Sequence, residues 1–264
     1  MEPRTEDSMI VEVRDGAVWI TLNRPAALNT LTPDIVSGMM AALDRAEGDD
    51  IKAVVLTGAG RAFCAGADLK FVRETAGGDE NGVARFLDKV LVMMNRLESC
   101  PRPVIAAVNG IAVAGGLELV LCCDLVIAAR SAKIGDAHIN FGLLPGGGSS
   151  VRLPRKIGPT RAKYLLFTGE MVPAEDLVEA GLVNQVVDDG DLMPAVGRLV
   201  GRLADKSPLV LRRVKALVDD GLDQPVQTAL RLELLASEVH SHSHDLKEGL
   251  AAFEEKRKPN FIGR

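Results

Sequence analysis

Residues 105–125 read IAAVNGIAVAGGLELVLCCDL, and this stretch decides the fold class. Val104 to Val108 is a short aliphatic run of strand character, closed by the turn pair Asn109-Gly110. Ala114-Gly115-Gly116 then opens a helix carrying Glu118, and Leu125 to Ala128 is a further aliphatic strand. Strand, turn and helix leading into another strand make an α/β protein. Small residues at the turn let a ligand approach bare backbone. The first N–H groups of a helix lack intrahelical acceptors and point outward as donors.

The unit recurs on either side. Upstream, the strand Ala53 to Thr57 ends at Gly58, and RAFCAGADL (residues 61–69) forms a second small-residue turn. A helix over Leu69 to Glu74 follows, then a polar loop over Ala76 to Asn81 and a helix over Val83 to Glu98. Gly77 and Gly78 mark that loop as a mobile, pocket-lining segment. At the start, Val11 to Val13 and Ala17 to Leu22 flank the hairpin pair Asp15-Gly16, and Thr32-Pro33-Asp34 starts a helix over Ile35 to Ala46. Past Pro145 a glycine turn leads to helices over Val151 to Ile157 and Thr160 to Phe167. From Leu192 the pattern is helical only. Its aliphatics Leu209, Val210, Val214, Leu217 and Val218, then Leu230, Leu234 and Leu235, need a covering surface on the core or another subunit.

Composition excludes several classes. The 264 residues carry 31 Lys and Arg against 36 Asp and Glu, a net charge of −5, which is no footprint for nucleic acid. Aromatics are 3%, so stacking platforms for single strands are few and the core must be aliphatic. No run approaches the roughly 20 apolar residues of a membrane span, and the polar start MEPRTEDSM lacks signal-peptide character. Cys64, Cys100, Cys122 and Cys123 form neither a CxxC pair nor a disulfide framework, which points to reduced thiols in a cytoplasm. Basic residues gather at Arg152, Arg155 and Lys156, and at Lys256, Arg257 and Lys258. Solvated faces are the common reading of such runs, and a phosphate-bearing small ligand the sharper one.

Other motifs fail on single residues. Gly58-Ala59-Gly60 follows a strand, but Phe63 stands where a dinucleotide fingerprint needs glycine. Val151 stands where a nucleophile elbow needs glycine after Ser149. His240 and His244 lie four apart without a partner carboxylate, so no metal site is expected. What remains are the two glycine turns. Facing each other, they would offer two N–H groups to one carbonyl oxygen, an oxyanion hole; on spacing alone, close helix–strand packing explains them equally well.

Here the residues carry a resemblance. The stretch from Ile105 to Leu125 resembles the signature of the crotonase superfamily, the enoyl-CoA hydratases and isomerases. RAFCAGADL, Asn23-Arg24-Pro25 with Leu28-Asn29, and the C-terminal Lys247-Glu248-Gly249, Ala252-Phe253 and Glu255 to Phe261 resemble its other motifs. The resemblance implies a spiral of ββα units over 1–195 and a helical oligomerisation segment over 196–264, assembled as a homotrimer or a dimer of trimers. It implies an acyl-CoA thioester as substrate with no further cofactor, no metal, and neither nucleic acid nor membrane as partner. Position by position, it implies an oxyanion hole from the Ala67 and Gly115 N–H groups, with Glu118 as the first catalytic glutamate. Arg24, Ala26, Leu28, Ala65, Asp68 and Leu69 would contact coenzyme A, joined by Phe253 and Lys256 from a neighbouring subunit.

One departure matters. Counted without gaps from Asp124 or from Pro145-Gly146, the hydratases' second glutamate falls on His138. Syn addition of water needs one group to deprotonate water and another to protonate the α-carbon. Histidine can do either near neutral pH, but through one nitrogen at a time. Asp136 is a nearby carboxylate which strand alternation would place on the same face. His138 is thus either a second catalytic residue beside Glu118 or a substituted lining residue. Three reactions stay open: hydration, double-bond isomerisation, and thioester hydrolysis or decarboxylation. A fourth reading is a member that holds acyl-CoA or RNA without turnover; intact Glu118 and both turns weigh against it.

Overall fold

The computed structural model describes residues 8–48 and 50–264; the polar start over residues 1–7 lies outside them. The chain opens with β1 (Met9–Arg14) and β2 (Ala17–Leu22), paired antiparallel around Asp15-Gly16. Helix α1 (Pro33–Ala46) starts where Thr32 Oγ1 accepts the Ile35 N–H, and it buries Ile35, Val36, Met39, Ala42, Leu43 and Ala46. Next come β3 (Ala53–Gly58), β4 (Ala62–Cys64), α2 (Leu69–Gly78) and α3 (Gly82–Glu98). A third unit is β5 (Val104–Val108), β6 (Ile111–Val113) and α4 (Gly115–Leu121). A fourth is β7 (Leu125–Ala129) and β8 (Lys133–Gly135) with α5 (Ser149–Ile157) and α6 (Pro159–Thr168). The last is β9 (Met171–Pro173), β10 (Gln185–Val187) and α7 (Leu192–Ala204), followed by α8 (Pro208–Leu222), α9 (Val226–Ser241) and α10 (His244–Glu254).

The strands fall into two sheets, ordered β1-β2-β3-β5-β7-β10 and β4-β6-β8-β9. Each turn of the chain from β3 onward places one strand in each sheet, so the backbone winds as a spiral of ββα units. From β2 to β10 the first sheet is parallel, and Val54, Val55, Leu56 and Ile105 to Val108 are fully buried. That continuous aliphatic burial is what a parallel sheet covered on both faces requires. The second sheet is built from strands of three residues. α4 lies hard against it: a Cβ on Gly116 would sit 2.0 Å from the Cys64 carbonyl oxygen.

Two segments depart from expectation. α2 continues through Gly77 and Gly78, and the Asp79 N–H bonds to the Thr75 carbonyl. The glycines are tolerated because each costs only about 1 kcal/mol in a helix, so the expected loop shrinks to a short turn. α7 crosses residue 195 and buries Leu192, Ala195, Val196 and Val200 in the core, packed on β3, β5 and β7. Beyond it, α8 is tied back by Lys215 Nζ, 2.8 Å from Asp124 Oδ2, and the same oxygen accepts the Val104 N–H at 2.7 Å. No helix among the described residues is long and apolar enough to cross a membrane.

Candidate active site

The loop after β2 is clamped to the turn before α2 by backbone. Ala65 N–H bonds to the Leu28 carbonyl, Leu31 N–H to Gly66, and Asp68 N–H to Leu31. Asn29, fully buried and left-handed at φ 57°, donates to the Ala59 and Ala62 carbonyls and accepts the Arg24 N–H. Arg24 in turn reaches Asp68 Oδ2 at 3.0 Å and the Thr30 carbonyl at 2.9 Å. Asp68 Oδ1 caps α2 through the Lys70 and Phe71 N–H groups. Arg24, Ala26, Leu28, Ala65, Asp68 and Leu69 are thereby gathered on one rim. Asn109, prominent in the sequence, proves a brace: it holds Gly58 N–H and the Gly60 and Ala62 carbonyls.

The two glycine turns face each other. A Cβ on Gly66 (φ 89°) would lie 2.8 Å from Ala114 Cβ and 3.2 Å from the Gly115 nitrogen. Ala114 itself takes φ 51° and ψ −120°, a conformation that costs a non-glycine residue about 1–3 kcal/mol and clusters at functional sites. Neither the Ala67 N–H nor the Gly115 N–H finds an acceptor among the described residues. Glycine serves packing at Gly116 and mutual approach at Gly66, so the two sequence readings of these turns apply to different residues.

Glu118, one turn into α4, is 2% exposed. Its Oε1 accepts the Gly147 N–H at 2.8 Å and the Ser149 N–H at 3.1 Å, whereas Oε2 accepts no hydrogen bond among the described residues. A Cβ on Gly147 would reach within 2.6 Å of Oε2, so glycine there keeps that oxygen clear. Arg152 holds the same loop. Its guanidinium binds the Gly147 carbonyl at 2.7 Å and forks onto Glu98 at 2.6 to 3.0 Å. Arg155 pairs with Asp223, and Lys156 Nζ donates to the Cys123 carbonyl. Each of the three side chains thus has an intramolecular partner, with Arg155 still exposed to solvent.

His138 opens a 3-10 turn after β8, and it is not on a strand. Ala137, left-handed at φ 58°, folds the chain so that Asp136 Oδ2 lies 3.0 Å from His138 Nδ1 and Oδ1 accepts the His138 N–H at 3.2 Å. The two side chains meet through this tight turn and not through strand alternation. Burial alone would lower the His138 pKa; the Asp136 hydrogen bond and the charges of Asp136 and Glu118 outweigh it and raise the pKa above 6.5. Asp136 is the member of the site that spacing did not assign. The clue was its place two residues before a candidate base.

Other candidates separate. His240 ends α9 beside Arg213, and His244 begins α10, so the two do not share a helix face. All four cysteines are buried free thiols, and burial pushes Cys64 and Cys122 up to about 12, which makes them packing residues. Phe253, 84% exposed, lies in the last turn of α10, and Lys256 follows the end of that helix. Arg257 is bound by Glu248 and Glu255, and Lys258 by Asp205.

The profile of the enoyl-CoA hydratase/isomerase family matches residues 12–264. A crotonyl-CoA hydratase of Syntrophomonas wolfei is 36% identical over 260 residues, covering 98% of this chain and 99% of the relative. A 1,2-epoxyphenylacetyl-CoA isomerase of Escherichia coli is 38% identical over 261 residues, covering 97% and 98%. The crystal structure of an enoyl-CoA hydratase from Bacillus anthracis superposes with a TM-score of 0.92 at 38% identity, covering 97% and 100%.

Proposed function

The chain belongs to the enoyl-CoA hydratase/isomerase family, and from that premise we propose that it forms and quenches thioester enolates of unsaturated acyl-CoA substrates. The observation that carries this is the pair of N–H groups, Ala67 and Gly115, unpartnered among the described residues and held together by the Gly66 and Ala114 backbone near Glu118. Two fixed donors aimed at one thioester oxygen favour the state in which that oxygen gains charge. Glu118, with Oε1 immobilised and Oε2 clear, is the proton-transferring group. His138 is the second, and between them they can deprotonate water and protonate the α-carbon, or shuttle one proton for isomerisation. The coenzyme A moiety lies along the rim of Arg24, Ala26, Leu28, Ala65, Asp68 and Leu69. There its phosphates compete with Asp68 for the Arg24 guanidinium. Phe253 and Lys256 of a neighbouring copy complete the site. No metal or further cofactor takes part.

Turnover of crotonyl-CoA and of a 3-enoyl-CoA tests this reading. The wild type should process at least one, and Glu118→Gln should lower kcat by about 10²- to 10⁴-fold. Release of free CoA thiol in their place would favour thioester hydrolysis. Binding of every thioester with turnover of none would make the chain a binder.

Self-association follows from the tail. Val218, Leu222, Val226, Leu234, Leu235 and Val239 are all exposed on α8 and α9. Apolar surface of that extent marks an interface, and a second and third copy of the chain are its proposed cover. Sedimentation should give a mass of three or six chains, and Leu234→Glu should lower it; a wild-type monomer would sink the proposal.

A further inference from the structure

The second acid–base group of this site is an imidazole where the hydratases have a carboxylate, and the two differ in what they need from their surroundings. A carboxylate offers two equivalent oxygens over a wide range of directions. An imidazole offers one lone pair or one N–H from each of two distinct nitrogens, so its usefulness depends on which nitrogen is protonated and where the ring points.

The geometry points to Asp136 as the positioning residue for His138: it fixes Nδ1 as the protonated ring nitrogen and leaves Nε2 as the atom offered to the substrate. This rests on the acyl-CoA reading above. Asp136 is 1% exposed and holds His138 at two points, the ring Nδ1 at 3.0 Å and the backbone N–H at 3.2 Å. A carboxylate only accepts, so the Nδ1 it touches carries hydrogen. The backbone bond and the left-handed turn at Ala137 fix the ring's root, and the ring bond fixes its rotation. The charges that act on the ring are those of Asp136, from its own segment, and Glu118, from α4; α6 packs against the turn and adds no charge to that pair. Nε2 then gives its proton to, or takes it from, the reacting group in one direction. The ring's change of charge takes place beside the Asp136 carboxyl, which holds its orientation.

Asp136→Asn is the decisive variant, because it keeps the size and can still accept the His138 N–H. Its amide N–H would donate to Nδ1 and force the ring hydrogen onto Nε2. An Asp-to-Asn change that traps the wrong tautomer costs a protease triad about 10⁴-fold in kcat with its geometry intact. For Asp136→Asn we expect a loss of at least about 10²-fold in kcat, with KM unchanged. The His138 limb of the kcat–pH profile should move to lower pH. Nitrogen-15 NMR of the whole protein should show hydrogen on Nδ1 of His138 in the wild type and on Nε2 in the variant. Wild-type His138 with hydrogen on Nε2 alone, or a folded Asp136→Asn with unchanged tautomer and kcat, overturns the assignment. If Asp136→Asn does not fold, the wild-type spectrum decides. The spectrum needs no substrate, so absence of acyl-CoA turnover removes the proposed function without touching this test. Loss of activity in Glu118→Gln beside full activity in Asp136→Asn removes only this one.

Discussion

Two buried carboxylates of this chain are held in nearly the same way and end in opposite states. Glu118 accepts the N–H groups of Gly147 and Ser149, and Asp245 accepts those of Ile262 and Gly263. Each lies in the first turn of a helix and pins a glycine-bearing segment distant in sequence. Each also has a buried serine in its network. Around Asp245 every contact is closed: both oxygens accept, and the Ser207 hydroxyl donates to Oδ2. Among the described residues, only Oε1 of Glu118 is engaged, and Ser149 Oγ, fully buried, has no hydrogen-bond partner. Saturated networks rigidify, while a buried polar group left unpaired marks strain or function. Asp245 locks the C-terminal segment onto α8 and α10, and Glu118 keeps half of its bonding capacity for something else.

The largest effect should separate the two by activity. Glu118→Gln keeps the acceptor for Gly147 and Ser149 but cannot take a proton, so kcat should fall by about 10²- to 10⁴-fold with the melting temperature nearly unchanged. Equal loss of activity from Asp245→Asn would break the contrast. Next is stability. Asp245→Ala strands two N–H groups and a hydroxyl, at a cost of about 3 kcal/mol in chemical denaturation at neutral pH. Burial pushes the Asp245 carboxyl up, but the Ser207 hydroxyl and the Ile262 and Gly263 N–H groups hold it below its ordinary value. A folded pKa below the unfolded one stabilises above the unfolded value and is lost as pH falls through the folded one. The gap between wild type and Asp245→Ala should therefore shrink below about pH 4. The smallest effect compares the serines. Ser207 also caps α8 through the Val210 N–H at 3.2 Å, so Ser207→Ala should cost about 2 kcal/mol. Ser149→Ala, which removes no protein bond, should stay within about 0.5 kcal/mol. Equal shifts in thermal unfolding would mean that Ser149 has a structural partner after all.

The parts of this design differ in how far they can be seen in one dimension. β2, β3, β5 and β7 are runs of buried aliphatics, and the helices over α1 and α3 carry a 3.6-residue period; both signals are local. Glu118 is singled out by the family resemblance, which its place three residues beyond the helix-opening Gly115 matches. The second sheet is not legible, because three residues are too few to show a period of two. Arg152 looks like free positive charge until α3 brings Glu98 beside it. Asp136 and His138 are two residues apart, yet their meeting depends on the single left-handed backbone at Ala137, a conformation alanine does not announce.

The α/β class, the aliphatic core, the two small-residue turns and the family they resemble are readable along the chain, because each rests on neighbouring residues. Long-range packing sets which N–H groups among the described residues lack acceptors, which oxygen of Glu118 stays clear, and which buried carboxylate is closed. Hydrogen-bond satisfaction is set by partners tens of residues away: Gly147 lies 29 positions from Glu118, and Ser207 lies 38 from Asp245. No local pattern encodes those distances; the fold creates them when the spiral closes.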